Sequence, residues 1–468
     1  MRRAALSVGV MKEFRALMPV WLASLAAIVA GVTAGGPFVR SIGIGAYVLG
    51  SVAVGALSLG HEYSNRTLSL LLTQPVRRGR VFVLKMLVVA VLLLPLAAVQ
   101  AYGTPREDWG LVVLPALAAL FLAPWLTMVC RSTLPGMVFA LPVVGSLWTA
   151  ADLMRLAIYG RNPATRYAAQ AFTLGVFTLE MVAACVIAAF VGLRMFVNLQ
   201  EVEGPHRDLH LPQWLFAPRE ALDRPARRRS PYWLLFNKEL RLQQLSFVIS
   251  AILVVEWLIV STLRRTVEGF AGPPFAVVTI LYAYALALLV GSLASAEERQ
   301  LGTLEWQVLL PISAWKQWSV KVGTALGLVL LLAIGLPSLL TWLQSSSGDV
   351  HANEWVVAII IALTVVGIYV SSVSSSGIRA LMFAVPIIAG IPTAALSFSR
   401  TVLFKSVPFR ELDDRVVASV LFAGFVPLLL WLALQNHRSA DRDAKRVWRQ
   451  VFVMSGCLML CAVAAYVL

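Results

Sequence analysis

The sequence predicts an all-α polytopic membrane protein, built from two parallel six-helix repeats with short amphipathic helices at one membrane face, plus one extra C-terminal span. Three observations lead to this prediction. The 468 residues are 59% hydrophobic and 13% charged, whereas soluble globular proteins carry about 25% charged residues. Apolar runs of membrane-spanning length recur along the whole chain. Polar segments between these runs in the first half resemble segments in the second half.

Thirteen apolar runs have roughly the 17 to 25 residues that a helix needs to cross a bilayer. The first and fifth runs are short, so a count of twelve spans is left open. The runs lie near 18–36, 41–60, 81–101, 111–130, 134–150, 168–193, 245–262, 275–293, 320–343, 354–373, 378–397, 414–434 and 451–468.

The net charge of +15 is explained by membrane topology, so we expect no nucleic-acid partner. With the N-terminus in the cytoplasm, most of the 39 Lys and Arg residues fall in internal loops and chain-end segments. Positive residues concentrate on the cytoplasmic side of membrane proteins. We therefore expect a multi-pass protein of the inner or plasma membrane. The odd number of spans places the C-terminus outside the cytoplasm.

Cysteine and histidine residues show no spacing typical of a disulfide or a metal site. The four cysteines lie within or at the edges of predicted spans, and the five histidines are scattered among polar segments. We therefore expect no metal. The basic N-terminus is not followed by an uninterrupted apolar stretch, so no cleaved signal peptide is expected.

Two polar segments resemble each other at an offset of 236 residues: "HEYSNRTLSLLLTQPVRRGRVFVLK" at 61–85 and "EERQLGTLEWQVLLPISAWKQWSVK" at 297–321. "KEFR" at 12–15 and "KELR" at 238–241 form a second pair, and 135–145 resembles 379–390. Such repeats indicate duplication; the alternative is chance likeness between Leu-, Ala- and Val-rich helices. The identical pairs of the first alignment are Glu62 and Glu298, Thr67 and Thr303, Leu68 and Leu304, Pro75 and Pro311, and Lys85 and Lys321.

The duplication predicts four parts. Residues 1–193 form the first half and 231–434 the second, each with an amphipathic helix and six spans. Residues 194–230 form a cytoplasmic linker, and 435–468 hold a basic cytoplasmic loop and the extra span. Because each half has an even number of spans, both halves enter the membrane from the same side and are parallel repeats.

Each half carries two predicted short helices at the cytoplasmic face. In the first copy Thr67 caps a helix with Leu68, Leu71 and Leu72 on one face, and Pro75 ends it. The second copy repeats this design with Thr303, Leu304, Val308 and Pro311. The alternative is that these helices only rest among lipid headgroups. Amphipathic helices also precede the first and seventh spans, and their charged positions are Lys12, Glu13, Arg15, Lys238, Glu239 and Arg241.

These segments resemble the permease subunits of type-2 ABC exporters, which have an interfacial elbow helix, six spans per half and a coupling helix between the second and third spans. "KEFR" and "KELR" match the elbow. The second coupling segment, with Gly302, Thr303, Leu304 and Glu305, is closer to the family pattern than the first, which has Arg66 and Ser69 at the Gly and Glu positions. The resemblance implies two cytosolic ABC ATPase subunits as partners, with this chain supplying both permease halves within membrane lipid.

The resemblance also implies what the chain itself does not carry. ATP and Mg would be used by the ATPase subunits, and this chain would bind no cofactor. No GxxxxGK[ST] phosphate loop occurs in the sequence, so we expect a transport subunit that is not an enzyme. The implied substrate is hydrophobic or amphipathic: a drug, a lipid or a peptide.

Family likeness places the exit path between the second and fifth spans of each half. The candidate wall residues, for which plain packing is the alternative, are Tyr47, Phe139, Tyr282, Tyr284 and Phe383. Glu62 and Glu298 are expected to pair with nearby arginines or with the elbow's Lys and Arg. Glu180 and Glu256 lie inside predicted spans, where charge is costly; they are either a proton or cation relay or acids that hold helices together.

Two other classes remain open. A secondary transporter of the major facilitator type also has two parallel six-span halves. "PVRRGRV" supplies the basic residues of that family's loop motif, but no Asp occurs between 61 and 85. An intramembrane enzyme or a structural scaffold is the second class, and no constellation of reactive groups favours it.

Overall fold

The structure, a computed structural model, is helical throughout the residues that it describes, and no strand occurs among them. The described residues are 2–33, 37–64, 67–68, 71, 73, 76–105, 109–160, 166–199, 230–266, 275–303, 312–344, 354–399, 414–438 and 444–467. Apolar runs become helices because a helix satisfies its backbone hydrogen bonds within itself, as the interior of a bilayer requires.

Six helices come from the first half of the chain. The fourth contains a π-helical segment at Ala118–Leu122, between Gly110–Leu117 and Ala123–Cys130. The six are α1 (Arg2–Thr33), α2 (Pro37–Ser64), α3 (Arg78–Tyr102), α4 (the three segments just given), α5 (Thr133–Tyr159) and α6 (Arg166–Val197).

Eight helices come from the rest of the described chain. The tenth has a π-helical segment at Leu330–Gly335, between Ala314–Val329 and Leu336–Gln344. The eight are α7 (Pro231–Leu242), α8 (Gln244–Thr266), α9 (Phe275–Leu301), α10 (the three segments just given), α11 (Glu354–Val373), α12 (Gly377–Ser399), α13 (Asp414–His437) and α14 (Ala444–Val467).

Ten helices of the described part are long and apolar enough to cross a membrane, which confirms the all-α, multi-pass membrane class. Two shorter apolar helices, Gly377–Ile388 and Phe422–His437, lie within α12 and α13. The expected total of thirteen spans and the duplication of the chain stay predictions. So do the choice of membrane and the sidedness of the termini.

The two predicted elbow segments differ in structure. In the second half, α7 ends at Leu242 and α8 begins at Gln244, because Gln243 leaves the helical conformation with φ −93° and ψ 16°. In the first half no such break occurs, and α1 continues through Pro19 as one helix of 32 residues. The first elbow is therefore the beginning of a long helix and not a separate element.

Helix α5 extends nine residues beyond the expected end of the fifth span at 150 and reaches Tyr159. Asp152 and Arg155 interrupt the apolar run just beyond this expected end. In the structure these two side chains pair across one helical turn, with Arg155 Nε donating to Asp152 Oδ1 at 2.7 Å. Since the pair satisfies both charges locally, the helix continues.

The chain divides into two compact units, and each is described by itself. The first comprises Met1–His206 and Val254–Val278; the second comprises Arg207–Leu253 and Thr279–Leu468. In the first unit α2 is the most enclosed span, with 78% of its apolar window buried; in the second unit α9 has 67% buried. The helix that ends in a predicted coupling segment is thus a central helix of its unit.

A glycine on each central helix allows close approach to a neighbour. A Cβ on Gly55 of α2 would lie 1.9 Å from the carbonyl oxygen of Ala119, within the π-helical segment of α4. A Cβ on Gly291 of α9 would lie 2.5 Å from the carbonyl oxygen of Thr364 and 2.9 Å from Cα of Gly367, both on α11. Both crossings bring backbone against backbone, as small residues permit in membrane helices.

Candidate functional site

A buried lysine organises the polar site of the first unit. Lys85, near the start of α3, is 1% exposed, and its ammonium donates to Glu13 Oε1 on α1 at 2.5 Å. It also donates to Glu62 Oε1 and to the backbone oxygen of Ser58, both on α2, at 3.3 and 3.0 Å. A buried charge is tolerated only when it is paired and hydrogen-bonded, and Lys85 meets both conditions.

Glu62 is fully buried and receives several further donors. The ammonium of Lys12, on α1, donates to its Oε1 at 3.1 Å. The hydroxyl of Thr67 donates to its Oε2. Glu62 therefore links α1, the end of α2, the start of α3 and the first residues of the predicted coupling segment.

His61 completes what we call the first charge cluster: Lys12, Glu13, His61, Glu62 and Lys85. Its imidazole is 8% exposed, and Nδ1 lies 2.8 Å from the backbone oxygen of Leu57. Nε2 lies 3.2 Å from Glu62 Oε1 and 3.7 Å from Glu13 Oε2. Neither His61 Nε2 nor Glu13 Oε2 has a hydrogen-bond partner in the described part of the chain.

The second unit contains a corresponding set, which we call the second charge cluster: Lys238, Glu239, Glu298 and Lys321. Glu298 is fully buried and accepts from both lysines. Lys321 is 1% exposed and also donates to the backbone oxygen of Ala294 at 2.8 Å. Glu239 Oε1 lies 3.8 Å from Lys321 Nζ and 3.9 Å from Lys238 Nζ.

Glu239 has a strongly altered acidity. Burial raises its pKa to about 7, since a charged carboxylate is poorly solvated there; Lys321 opposes this effect, and the nearby carboxyl of Glu298 adds to it. Burial and the nearby Glu298 thus favour the protonated carboxyl of Glu239, whereas Lys321 favours the charged form. Glu239 lies on α7, outside the ten candidate spans.

The two clusters share their connections. Lys85 and Lys321 each donate to a backbone oxygen four residues before the buried Glu, at Ser58 and Ala294. These two oxygens are separated by the same 236 positions that separate the lysines. Each cluster joins three segments of its unit: the charged residues of α1 or α7, the end of a central helix, and the beginning of the helix that follows the coupling segment.

The first coupling segment is partly described. The backbone oxygen of Thr67 accepts from the amide of Leu71 at 3.0 Å, as at the start of a helical turn. Its hydroxyl, expected to cap the helix, instead donates to Glu62. Leu68 and Leu71 pack into a cluster with Leu59 and Phe82. Their apolar face thus points toward the body of the unit, whereas Leu72 and Pro75 lie outside the described residues.

Less of the second coupling segment is described. Gly302 has φ +71°, a left-handed conformation that favours glycine at the end of a helix. The hydroxyl of Thr303 donates to the backbone oxygen of Glu298 at 3.3 Å. Leu304, Glu305, Val308 and Pro311 lie outside the described residues.

Of the six charged elbow positions, four belong to the clusters. Arg15 and Arg241 are exposed on their helices and contribute to neither. The expectation that Glu62 and Glu298 pair with elbow lysines agrees with the Lys12 and Lys238 contacts. The dominant partners are Lys85 and Lys321, whose matched spacing was visible in the sequence but had no assigned role.

The candidate path residues lie in packed positions. Tyr47 is fully buried, and its hydroxyl donates to the backbone oxygen of Val112 at 2.6 Å. Tyr282 is buried between Ser250 and the backbone oxygen of Leu332, at 2.7 and 3.0 Å. Phe139, Tyr284 and Phe383 are half-buried. These positions do not coincide with an apolar cavity of about 360 Å³ in the first unit, lined by Leu117, Phe121, Val182, Cys185, Val186, Ala189, Phe190 and Leu193.

The two intramembrane acids are half-buried and lie in the first unit. Oε2 of Glu180, on α6, is buried without a hydrogen-bond partner among the described residues. Glu256, on α8, approaches Gly145 of α5, where an added Cβ would lie 3.8 Å from its Oε1. The relay and the helix-holding role of these two acids both stay predictions.

Comparison with known proteins adds no assignment, because no family model, curated protein or solved structure matches this chain.

Proposed function

We propose that this chain is the membrane permease of an ATP-driven exporter of the type-2 ABC class. Two cytosolic ATPase subunits would dock near residues 66–74 and 302–310, and both permease halves would come from this one chain. ATP and Mg would be used by the ATPase subunits, with no cofactor bound here. The likeness of the two polar segments to coupling helices supports the class, and the paired charge clusters support the mechanism.

The observation that carries the proposal is the position of the two clusters. Each connects the end of a central helix, which leads into a coupling segment, with two other helices of its unit. Removing one partner of a buried ion pair costs about 3–5 kcal/mol, so these helices would move together when a docked ATPase pushes on the coupling segment. A cluster of this kind would transmit force, because a change in the angle between the connected helices would separate the buried ion pairs.

The proposed cargo is hydrophobic or amphipathic: a drug, a lipid or a peptide. Substrates of this type would enter from the bilayer or the inner leaflet, where the outer faces of α3 and α6 are apolar and exposed. The clusters themselves would not contact the cargo, since Glu62, Lys85, Glu298 and Lys321 are each at most 1% exposed.

The test begins with affinity purification of the tagged chain from its native membrane. We expect an ABC ATPase to co-purify in a ratio of two per permease, and the complex to export substrate from vesicles only with ATP and Mg. Glu298→Ala should lower transport per ATP hydrolysed while the complex still assembles. Lys316→Gln, an exposed charge near the start of α10, is the matched control and should leave the ratio unchanged.

The alternative mechanism gives the opposite result. If the purified chain alone moves substrate in liposomes under an ion gradient, without any ATPase, the protein is a secondary transporter. If the Glu298→Ala complex transports as efficiently as the Lys316→Gln complex, the clusters have no part in coupling.

A further inference from the structure

The geometry around His61 points to a metal site whose ligands are far apart along the sequence. The backbone oxygen of Leu57 can only accept a hydrogen bond, so His61 Nδ1, 2.8 Å away, must carry the proton. In the neutral imidazole Nε2 then presents a lone pair. That lone pair faces Glu62 Oε1 at 3.2 Å and Glu13 Oε2 at 3.7 Å, an arrangement that a metal ion bound among the three atoms would satisfy.

Two of the three atoms are unused by the protein. Glu13 is 5% exposed and His61 is 8% exposed, yet Glu13 Oε2 and His61 Nε2 have no hydrogen-bond partner in the described part of the chain. Lys85 occupies the other oxygen of Glu13 and leaves Oε2 directed toward the imidazole. Buried polar atoms are nearly always satisfied, so this pair indicates a missing ligand.

The spacing of the donor atoms suits a small divalent metal. One ligand atom each from Glu13, His61 and Glu62 lies within 4.8 Å of the others, and among the described residues this is the one such group of three. Ligand atoms about 3.4 Å apart surround a tetrahedral ion whose bonds are about 2.1 Å long. The observed distances of 3.2 and 3.7 Å lie within about 0.3 Å of this spacing, and the distance between the two carboxylate oxygens is at most 4.8 Å.

We propose that Glu13, His61 and Glu62 bind a divalent transition metal of the Zn²⁺ class, with one coordination position left for water. One imidazole nitrogen and two carboxylates favour Zn²⁺, Mn²⁺ or Fe²⁺ over Mg²⁺ and Ca²⁺, which prefer ligand sets made of oxygen alone. Lys85 would hold Glu13 as an outer partner, in the way that hydrogen bonds orient other metal ligands. This site does not depend on the proposed export function.

Lys12 is the natural competitor of the metal. Its ammonium neutralises Glu62 Oε1 at 3.1 Å, but 51% of its side chain is exposed, so it is free to move to solvent when a divalent ion binds. The buried Lys85 stays and repels the ion, which lowers affinity. A metal site therefore predicts that removal of Lys12 strengthens binding, an effect opposite to that of removing a ligand.

The second unit supplies a built-in control. At the position of His61 it has Glu297, 236 residues later, and its cluster shows no comparable group of three donor atoms among the described residues. Glu239→Gln removes the counterpart of Glu13 in that unit and should not change metal binding.

The experiment uses the full chain in detergent, freed of metal with a chelator, and titrated with Zn²⁺ and with Co²⁺ as a spectroscopic probe. We expect one Zn²⁺ per chain and a Co²⁺ spectrum with nitrogen and oxygen ligands. His61→Gln and Glu13→Gln should each weaken binding at least tenfold, Lys12→Gln should strengthen it, and Glu239→Gln should match the original chain. Size-exclusion profiles and circular dichroism identify variants that have not folded.

Two results would overturn the site. The first is absence of stoichiometric Zn²⁺ in the folded original chain. The second is a His61→Gln variant that binds as tightly as the original. Either result would mean that Glu13, His61 and Glu62 do not bind a metal together.

Discussion

At the scale of single residues, Lys85 determines whether the first charge cluster is neutral. It is 1% exposed and contacts both buried carboxylates. Lys85→Met should lower the free energy of unfolding by about 3–5 kcal/mol, because it leaves Glu13 and Glu62 without their buried partner. Thermal denaturation in detergent measures this loss.

Lys12→Met is the matched comparison for Lys85→Met. Lys12 contacts the same Glu62, but about half of its side chain is in solvent, and exposed pairs contribute only about 0–1 kcal/mol. If the two variants were equally stable, the burial of Lys85 would have no energetic importance.

The raised pKa of Glu239, about 7 in place of 4.5, predicts a pH-dependent stability. The folded protein holds this proton more tightly than the unfolded chain, so protonation of Glu239 stabilises the fold. This stabilisation is fully present below about pH 4.5. It is lost as the pH rises through about 7. In detergent, Glu239→Gln should reduce the fall in melting temperature between these pH values.

Glu13→Gln is the comparison for the pH experiment. It removes the corresponding acid of the first unit, and the part of the pH dependence that belongs to Glu239 should persist. An unchanged slope in Glu239→Gln would contradict the assignment of this titration to Glu239.

At the scale of helices, two glycines set how closely the central helices approach their neighbours. Gly55→Ala would place a carbon 1.9 Å from the oxygen of Ala119, and Gly291→Ala would place one 2.5 Å from the oxygen of Thr364. The obstacles are backbone atoms, so α2 or α9 must shift. Both substitutions should lower the melting temperature measurably.

Gly323→Ala, on α10, is the control for the glycine substitutions. Its Cβ would meet no atom within 4 Å, and Ala in a helix interior is favoured over Gly by about 0.5–1 kcal/mol. This variant should be at least as stable as the original chain. Equal losses in all three variants would show that close packing is not the cause.

A polar network attaches the C-terminal helix α14 to its unit. Gln450 Nε2 donates to Asn436 Oδ1 at 2.8 Å, and Asn436 Nδ2 donates to Ser372 Oγ at 3.0 Å. The hydroxyl of Tyr369 donates to Gln450 Oε1 at 3.2 Å. Gln450→Leu would leave the buried polar groups of Asn436 and Tyr369 without this hydrogen-bond partner. The free energy of unfolding should fall by about 1–3 kcal/mol.

The Gln450 prediction is checked by a double-mutant cycle with Asn436→Leu. If the two residues act through their mutual hydrogen bond, the double variant should be clearly more stable than the sum of the single losses implies. Additive losses would mean that α14 is held by its apolar contacts instead.

At the scale of the whole molecule, the expected topology places 194–230 in the cytoplasm and the loop after α3 outside. In a chain whose four cysteines are replaced, Ser230→Cys should react with a membrane-impermeant maleimide only in inverted vesicles. Tyr102→Cys, at a side chain that is 90% exposed, should react on intact cells. The reverse labelling pattern would contradict the cytoplasmic N-terminus.

Much of the helical architecture could be predicted because the length and polarity of each run depend only on neighbouring residues. Span ends were less predictable. Helix α5 passes 150 since Asp152 and Arg155 neutralise each other, and α1 continues through the first elbow. Neither result is encoded by polarity alone, because both depend on whether charged groups find partners.

The candidate site was predicted in part. Glu62 and Glu298 were each expected to pair with nearby arginines or with the Lys and Arg of the elbows, and the structure pairs them with the elbow lysines Lys12 and Lys238. His61 was dismissed as a ligand because the five histidines show no metal-ligand spacing along the chain, and Glu13, its neighbour in the structure, lies 48 positions away. Asn436 and Gln450 carried no recognisable pattern. Such groups meet only when helices pack, and sequence spacing has no information on distances between helices.

By itself the sequence determined the class of this protein: a multi-pass membrane protein built from apolar helices. The class follows from composition and periodicity, because each apolar run in a bilayer must satisfy its own backbone hydrogen bonds and therefore forms a helix. Tertiary structure alone decided that Lys85 and Lys321 neutralise the buried glutamates and that an imidazole faces two carboxylates. The reason is physical: the energy of a buried charge depends on which groups surround it in space.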